Sequence, residues 1–426
     1  MIRSTDLKAV GARTFRSLRI RNYRLFFVGQ LISVTGTWMQ TVAQSWLVLN
    51  LTGSGVALGI TVALQFLPML LFGMWGGLIA DRSDKRRLLI ALQVAGGLLA
   101  LILYALVATD TVELWMVWVL AFALGMVFMV DMPTRQSFVI EMVGPDEVPN
   151  AVGLNSAMFN TGRILGPGAA GVTIATLGLA PAFLANAISF LPVIAGLMMM
   201  RSEELFRREP APRRKGEVRA GFLYAWHDTT LRSTLLLVGV LGMFGFNFIV
   251  VLPLMAKFTF GGDAGLYSLF TALMSFGSLA GALVSASRSK PTTGMLVGSG
   301  VAFGGLTLVT AVAPTAWLVA VLLVGVGMAM MLFMATANTI LQLNSDPAMR
   351  GRVMALYGLL FAGSTPVGGP VMGWISEAWG PRVGMAIGGI LSLAAALAAV
   401  SRVRVRRRAA ALAPAETHDS PDVAIL

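Results

Sequence analysis

Long apolar runs separated by short polar segments extend over most of the chain. Each run is near the roughly 20 residues that an α-helix needs to cross a bilayer. Twelve runs are found, at about 24–49, 55–80, 87–107, 114–138, 150–176, 181–200, 233–257, 264–287, 293–312, 315–341, 351–376 and 382–401. The pattern predicts an all-α membrane protein with twelve transmembrane helices.

Basic residues are concentrated in every second polar segment. They occur up to residue 24 and at 82–87, 201–232, 288–290, 350–352 and 402–408. The alternate segments contain neither Lys nor Arg, namely those near 50–55, 108–113, 176–182 and 312–316. Because Lys and Arg collect on the cytoplasmic side of a membrane, we expect a multi-pass protein of the cell inner membrane with both termini cytoplasmic.

A charged segment with two prolines separates the spans into two groups of six. It carries several arginines beside Glu203, Glu204 and Glu209. We therefore predict a cytoplasmic N-terminal segment, an N-terminal six-helix half, a cytoplasmic linker, a C-terminal six-helix half and a cytoplasmic tail. Their predicted bounds are 1–23, 24–200, 201–232, 233–401 and 402–426.

Two landmarks of the first half recur in the second. Gly77-Leu-Ile-Ala-Asp81 has a counterpart in Gly281-Ala-Leu-Val-Ser285, and Gly166-Pro167 has one in Gly369-Pro370. The two pairs are offset by 204 and 203 positions, so the halves are predicted to be a pseudo-symmetric repeat. Serine replaces the acid in the second copy, which suggests that the first half carries the gating contact.

Composition limits the chemistry that the chain can perform. The 426 residues are 56% hydrophobic and 12% charged, a balance that excludes soluble domains. There is no cysteine, and the only histidines are His227 and His418, in a polar loop and the tail. No phosphate-binding glycine loop or nucleophile–base pair is found. We expect no enzyme activity, cofactor or metal, and the net charge of +12 reflects membrane topology rather than a nucleic-acid partner.

The segment 77–87 interrupts two apolar runs and carries six charges in the seven residues that end it. Gly77 is expected to let two helices approach closely. Asp81 is expected to face the positive N-terminus of another helix, namely the eleventh span near Gly351. Arg82 and Arg86 are expected to reach carboxylates on neighbouring helices, with Asp131 and Glu141 as candidates.

This segment resembles the loop between helices 2 and 3 of major facilitator superfamily transporters, in the pattern Gly-x-x-x-Asp-Arg-x-x-(Lys/Arg)-Arg. Asp84 stands where that pattern has a second glycine, and Lys85 where it has arginine. The resemblance implies a secondary transporter of two six-helix halves that opens alternately to each side of the membrane.

The fifth span carries a glycine series ending in Gly162, Gly166-Pro167 and Ala170-Gly171. It resembles the helix 5 motif of exporters in the superfamily, with Ala170 where glycine is usual. Gly162 and Gly166 place two small surfaces on one face, and Pro167 removes a backbone donor. Ordinary packing of membrane helices is the alternative interpretation.

A further run begins at Asp131-Met-Pro-Thr-Arg135 and continues to Arg163. It resembles the bacterial transmembrane secretion effector family, whose relatives include enterobactin and macrolide exporters, and the resemblance covers nearly the whole chain. It implies export of a small molecule.

Two charged positions lie inside predicted spans. Asp131 and Arg135 are four residues apart and can face each other on a helix, which predicts a structural ion pair, with Arg82 or Arg86 as further partners. A proton-carrying Asp131 is the alternative. Arg163 lies about 20 Å along its helix, and contact with cargo and a purely structural role are equally open.

Polar positions on several spans are candidates for a substrate path. The first span carries a stripe of glutamine, serine and threonine, Asn160 shares a face with Arg163, and the seventh span is mostly apolar. The candidates are Gln30, Thr37, Gln40, Gln44, Asn160, Arg163 and Asn247.

The sequence thus predicts a secondary exporter of an amphipathic small molecule such as a drug, a siderophore or another metabolite. Protons are the expected coupling ion, exchanged in antiport, and the lipid bilayer is the expected environment. A transporter of lipid-like molecules and a non-transporting membrane sensor or scaffold are the alternatives.

Overall fold

The computed structural model describes residues 15–206, 217–288, 291–347 and 349–412. Within these ranges the chain is helical and contains no strand. Twelve long helices follow the predicted spans: α1 (Arg21–Thr52), α2 (Gly55–Arg82), α3 (Lys85–Ala108), α4 (Leu114–Val143), α5 (Val148–Leu177), α6 (Ala180–Met198), α7 (Thr229–Thr259), α8 (Ala264–Ala286), α9 (Thr293–Val312), α10 (Ala316–Leu343), α11 (Arg350–Trp379) and α12 (Pro381–Leu412). Nine helices of the described chain are long and apolar enough to cross a membrane. The other three, α1, α5 and α11, are 32, 30 and 30 residues long.

Several boundaries differ from the predicted ones. The linker contains a helix over Glu217–His227, which we call the linker helix. Next, α7 begins at Thr229 rather than near 233, because the Asp228 carboxylate caps it by accepting a hydrogen bond from the Leu231 amide at 2.8 Å. At the other end of the half, α12 continues beyond the predicted end at 401 to Leu412.

Side-chain caps explain why many of the helices begin where they do. A short polar side chain before the helix accepts a hydrogen bond from a backbone amide of the first turn. Among the described residues, the side chains that do this for long helices are Ser54, Asp84, Asp228, Asp263, Thr292 and Thr315.

Asp84 shows how the hairpin between α2 and α3 tolerates its departure from the glycine pattern. Its carboxylate accepts a hydrogen bond from the Arg87 amide at 3.0 Å and so starts α3 at Lys85. The backbone at Asp84 is extended, with φ of −64°, a conformation that does not require glycine. A capping aspartate therefore makes the tight turn.

The helices pack as two groups joined along two seams. In the first group α1 packs against α5 and α6, α2 against α4, and α3 against α6. In the second, α8 packs against α10, and α9 against α10 and α12. The seams between the groups are formed by α2 with α11 and by α5 with α8. We call the end of the bundle where α1 begins the inner end, and the opposite end the outer end.

The outer end is closed because the two halves touch there through glycines. A Cβ atom added to Gly55 would lie 2.6 Å from the Gly373 carbonyl oxygen, and one added to Gly59 would lie 2.5 Å from that of Gly369. On the other seam, Gly171 of α5 leaves only 2.8 Å between such an atom and the Ser268 Cβ of α8. Only glycine permits these backbones to approach so closely.

The inner end is open between the halves. A Cβ atom added to Gly358, near the inner end of α11, would meet no heavy atom within 4 Å outside its own helix. Met74 and Trp75 near the inner end of α2 are exposed by 75% and 60%. The seam of α2 and α11 is therefore tight from the outer end to Gly363, where a Cβ atom would lie 2.8 Å from Leu70 Cδ1, but not at Gly358.

The buried apolar side chains show the same division. One large cluster joins both halves and includes Leu49 and Leu58 of the first together with Leu252 of the second. Near the inner end two separate clusters replace it, one around Phe138 in the first half and one around Leu356 in the second. The bundle is thus a V that is joined at the outer end and split at the inner end.

Candidate functional site

A cavity of about 250 Å³ lies inside the first half. It is lined by residues of α1, α2, α3, α4, α5 and α6, together with Ile249 of α7. Most of the lining is aromatic or aliphatic. The polar residues that line it are Gln30, Ser33, Thr37, Thr41, Gln65, Gln93, Asp131 and Arg135. The structure therefore brings two predicted path residues, Gln30 and Thr37, to the same space as the predicted ion pair.

Asp131 and Arg135 form an ion pair in this first cavity. The Arg135 Nη2 atom lies 2.8 Å from Asp131 Oδ2, and both residues are buried, at 9% and 3% exposure. The amide Nε2 of Gln93 donates a hydrogen bond of 3.0 Å to Asp131 Oδ1. The Arg135 guanidinium also lies over the Phe159 ring, 4.9 Å from its centroid. The arrangement predicted from the spacing of four residues is present, with Gln93 as a partner that the sequence did not indicate.

A second cavity of about 180 Å³ lies between the two halves. It shares Trp38, Thr41, Phe66 and Ile249 with the first cavity, so the two adjoin. Arg163 of α5 lines it and lies over the Trp38 ring, 5.4 Å from the centroid. The second half contributes mainly apolar groups to this cavity, among them Phe246, Met274 and Met330, together with the hydroxyl-bearing residues Tyr267, Thr271 and Thr365.

The remaining predicted path residues lie outside both cavities. Gln40 is buried and accepts a hydrogen bond of 2.6 Å from the Asn186 amide. Asn160 donates to the Ser156 carbonyl, and Asn247 to the Met243 carbonyl, both on their own helices. Gln44 is buried at 7% exposure. These four residues line neither cavity in the described structure, and their role in a substrate path stays a prediction.

The hairpin of residues 77–87 joins three helices of the first half at the inner end. Arg86 donates to the carbonyl oxygens of Leu197 and Met198 at 2.7 and 2.8 Å, and so caps the C-terminus of α6. The carboxylate of Glu141 is bound instead by Lys85, at 2.6 Å. The expectation that Arg86 reaches Asp131 or Glu141 is therefore wrong, since Arg135 and Lys85 occupy those acids.

Around the same hairpin, the other predicted gating residues have different surroundings. Asp81 is half-buried and Arg82 is exposed. Gly77 is half-buried, whereas its neighbour Gly76 is buried and faces the Met129 carbonyl of α4 so closely that no Cβ atom would fit. The buried glycine of this pair, which packs against α4, therefore lies one residue before the predicted position.

Gly162 and Gly166 bring α5 against α1. Cβ atoms added there would lie 2.6 Å from Val34 Cγ1 and 2.5 Å from Trp38 Cβ. Pro167 is buried, and α5 is helical throughout from Val148 to Leu177. The two glycines thus set the distance between α1, which lines the first cavity, and α5, which carries Arg163.

Two charged side chains of the second half form hydrogen bonds with the α1–α2 hairpin at the outer end. Glu377 of α11 accepts hydrogen bonds from the Ser54 hydroxyl at 2.6 Å and the Val56 amide at 3.0 Å. Lys257 of α7 donates to the Leu49 carbonyl at 2.9 Å. The carboxylate of Glu377 therefore lies at the positive N-terminus of α2, and the ammonium group of Lys257 lies at the negative C-terminus of α1. We call these contacts the outer latch, which sequence analysis missed because its members are about 200 and 320 positions apart.

Residues 12–426 match the family model described as transmembrane secretion effector. The chain belongs to this family. Curated relatives include the staphyloferrin A transporter of Staphylococcus aureus, 25% identical over 61% of this chain and 66% of that protein. The multidrug efflux pump Tap of Mycolicibacterium fortuitum is 29% identical over 84% of this chain and 89% of that protein. Macrolide efflux protein A of Streptococcus pyogenes is 21% identical over 82% of this chain and 89% of that protein.

Solved structures agree with this transmembrane secretion effector in fold. A bacterial homolog of the human lysosomal transporter Spinster, in an inward-facing and unoccupied conformation, superimposes with a TM-score of 0.71 at 14% identity, over 91% of this chain and 97% of that one. The nucleoside transporter NupG gives a TM-score of 0.71 at 13% identity, over 91% and 99%. The protein is thus an all-α major facilitator superfamily transporter of the efflux or secretion type, and not an enzyme.

Proposed function

We propose that this transmembrane secretion effector exports an amphipathic small molecule from the cytoplasm by alternating access, in exchange for protons. The proposal places it in the cell inner membrane, with twelve spans in two halves, both termini cytoplasmic and the inner end of the bundle toward the cytoplasm. The observation that carries it is the pair of adjoining cavities, sealed toward the outer end by glycine contacts and split open toward the inner end.

The lining of the cavities supports an amphipathic cargo. One wall presents glutamine, threonine and an ion pair from the first half. The other presents phenylalanine and methionine from the second half, with three hydroxyl groups among them. Methionine is flexible and adapts to irregular apolar surfaces. The relatives named as multidrug and macrolide efflux proteins are consistent with such a cargo.

Asp131 supports the proposal of proton coupling. It is the only acidic residue among the described side chains that line either cavity. In the described structure it is held by Arg135 and Gln93. Protonation of the Asp131 carboxylate would leave the Arg135 charge without its partner, so a bound proton would change the electrostatics of the first cavity.

We expect Arg163→Ala to lower export by about tenfold while membrane insertion stays intact, because the guanidinium and its contact with Trp38 are lost from the second cavity. Export rates and the amount of inserted protein are compared with those of Arg24→Ala, which removes an exposed arginine near the inner end of α1. Normal export by inserted Arg163→Ala would remove the proposed role, whereas loss of folded protein would make the arginine structural.

We expect Asp81→Asn to weaken the state in which the inner end is closed, because in that state Asp81 is proposed to face the N-terminus of α11. An aspartate at a helix N-terminus contributes about 0.3–1 kcal/mol, so the population of the closed state should fall by about two- to fivefold. Energy transfer between dyes at the inner ends of α2 and α11 measures this population. Asp110→Asn, which removes an acid from the outer loop between α3 and α4, is the matched control and should change nothing. An unchanged inner-end distance in Asp81→Asn contradicts the proposal.

The proposed function itself is tested in two steps. Cells that lack the gene are compared with the parent strain for compounds that they retain. A retained compound is then labelled and offered to inside-out vesicles that contain the protein. The proposal predicts uptake that requires an acidic vesicle interior and stops when a protonophore collapses the gradient. Uptake that ignores the gradient would remove the proton coupling, and no uptake with a folded protein would favour a sensor or scaffold.

A further inference from the structure

The amide of Gln93 has a fixed orientation in the first cavity. Asp131 forms an ion pair with Arg135, and the oxygens of a carboxylate in an ion pair accept hydrogen bonds. The Gln93 amide must then turn its Nε2 atom toward Asp131 Oδ1, at 3.0 Å. Its Oε1 atom faces away from that contact and has no hydrogen-bond partner, although the residue is only 5% exposed.

Gln30 presents a second oxygen of the same kind. The residue lines the same cavity from α1, is 3% exposed, and its Oε1 atom also has no partner. Buried polar atoms in folded proteins are satisfied with few exceptions, and an unsatisfied one calls for a ligand or a water. The contact with Asp131 makes the Gln93 oxygen an acceptor for a hydrogen-bond donor, and Gln30 can turn the oxygen of its own amide to the same donor.

The charge of the cavity limits which donors fit. Asp131 and Arg135 are the charged side chains among the described residues that line it, and they neutralise each other. The rest of the wall is largely apolar, including Phe66, Met69, Leu92 and Phe190. A carboxylate placed in this cavity would add an acceptor beside acceptors, whereas the cation of Arg163 lies in the adjoining second cavity.

We propose that the first cavity is a cargo subsite for apolar molecules that carry hydrogen-bond donors, such as hydroxyl, amide or ammonium groups, and that Gln93 selects them. The subsite excludes polycarboxylates. Gln93 accepts from the cargo with Oε1 because Asp131 holds its Nε2 atom. This inference rests on the proposed function, since it names the class of molecule that the exporter takes.

The test is equilibrium binding to the purified full-length protein in lipid nanodiscs. Two monovalent apolar cations serve as probes: ethidium, which carries two aromatic amino groups as donors, and tetraphenylphosphonium, which carries none. Gln93→Leu should weaken ethidium binding by about tenfold, as expected for the loss of one hydrogen bond to a charged or polarised donor. Tetraphenylphosphonium binding should change by less than about twofold, because it makes no such bond.

Gln40→Leu is the matched control. It removes a buried glutamine of α1 whose amide partner, Asn186, lies outside both cavities, and it should leave the binding of both probes unchanged. Equal weakening of both probes by Gln93→Leu would show a general structural effect and overturn the inference. Unchanged ethidium binding in Gln93→Leu would also overturn the inference, because it would mean that water alone satisfies the Gln93 oxygen. A parent protein that does not bind ethidium would overturn it as well.

Failure of the inference is distinguishable from failure of the proposed function. If Gln93→Leu leaves ethidium binding intact while vesicles still accumulate cargo in response to a proton gradient, the donor-selective subsite is contradicted and the proposal of export is supported. If the parent protein accumulates no cargo in vesicles, export is removed whatever the probes do.

Discussion

Gly59→Ala is expected to keep the outer end from closing and to abolish most transport. The added methyl group would lie 2.5 Å from the Gly369 carbonyl oxygen and 2.7 Å from the Pro370 Cα atom. Both are backbone atoms, so no side chain can move aside to make room. Overpacking of this kind costs about 1–3 kcal/mol, and that cost falls only on the state in which α2 and α11 touch at the outer end.

Thiol labelling measures this effect directly because the chain has no native cysteine. Thr41→Cys places a thiol at the wall shared by the two cavities. In the parent background an impermeant thiol reagent added at the outer side should react slowly, and in Gly59→Ala it should react faster. Gly305→Ala is the control, since a Cβ atom there meets no neighbour within 4 Å. Equal reaction rates in the parent and in Gly59→Ala would show that the glycine contact does not hold the outer end closed.

Arg135→Met is expected to destabilise the protein strongly. It leaves the Asp131 carboxylate buried and without its cation, a change that costs about 3–5 kcal/mol. The Gln93 hydrogen bond alone does not compensate a buried charge. We therefore expect a large drop in the yield of folded protein and in the midpoint of thermal unfolding.

The double variant Asp131→Asn with Arg135→Met removes both charges and should recover most of the folded protein, because no unpaired charge remains. Arg201→Met is the control for breaking an ion pair at the surface. The Arg201–Glu204 pair is exposed by 65% and 42% at its side chains, and such pairs contribute about 0–1 kcal/mol. A double variant as unstable as Arg135→Met would show that the charges are not what couples the two residues.

Sequence patterns predicted what depends on neighbours along the chain. The apolar runs are near the length of a membrane, so all twelve helices lie close to the predicted spans. Asp131 and Arg135 meet because a helix brings residues four apart together. Gly162 and Gly166 form a close helix contact, as small residues on one face predict.

Contacts between distant helices were the part that sequence analysis could not supply. Lys85 binds Glu141 because α2, α3 and α4 meet at the inner end. No sequence pattern around either residue indicates that the two are in contact. Gln93 joins Asp131 across two helices in the same way. Glu377 reaches the start of α2 only because the two halves close at the outer end. Helical periodicity also did not separate Gln30, which lines a cavity, from Gln40, which does not.

In the proposed transport cycle this transporter alternates between the observed arrangement and one that is open at the outer end. Spin labels can follow this change when they are placed at the outer end at Leu51 and Trp379 and at the inner end at Arg87 and Leu343, all of them exposed positions. Distances within the two pairs are measured by pulsed spin resonance across a range of pH and with cargo. Two populations are expected. In one, a short distance at the outer end accompanies a long distance at the inner end, and in the other the outer distance is long and the inner distance short. Distances at the two ends that stay fixed, or that lengthen together, would contradict the proposed cycle.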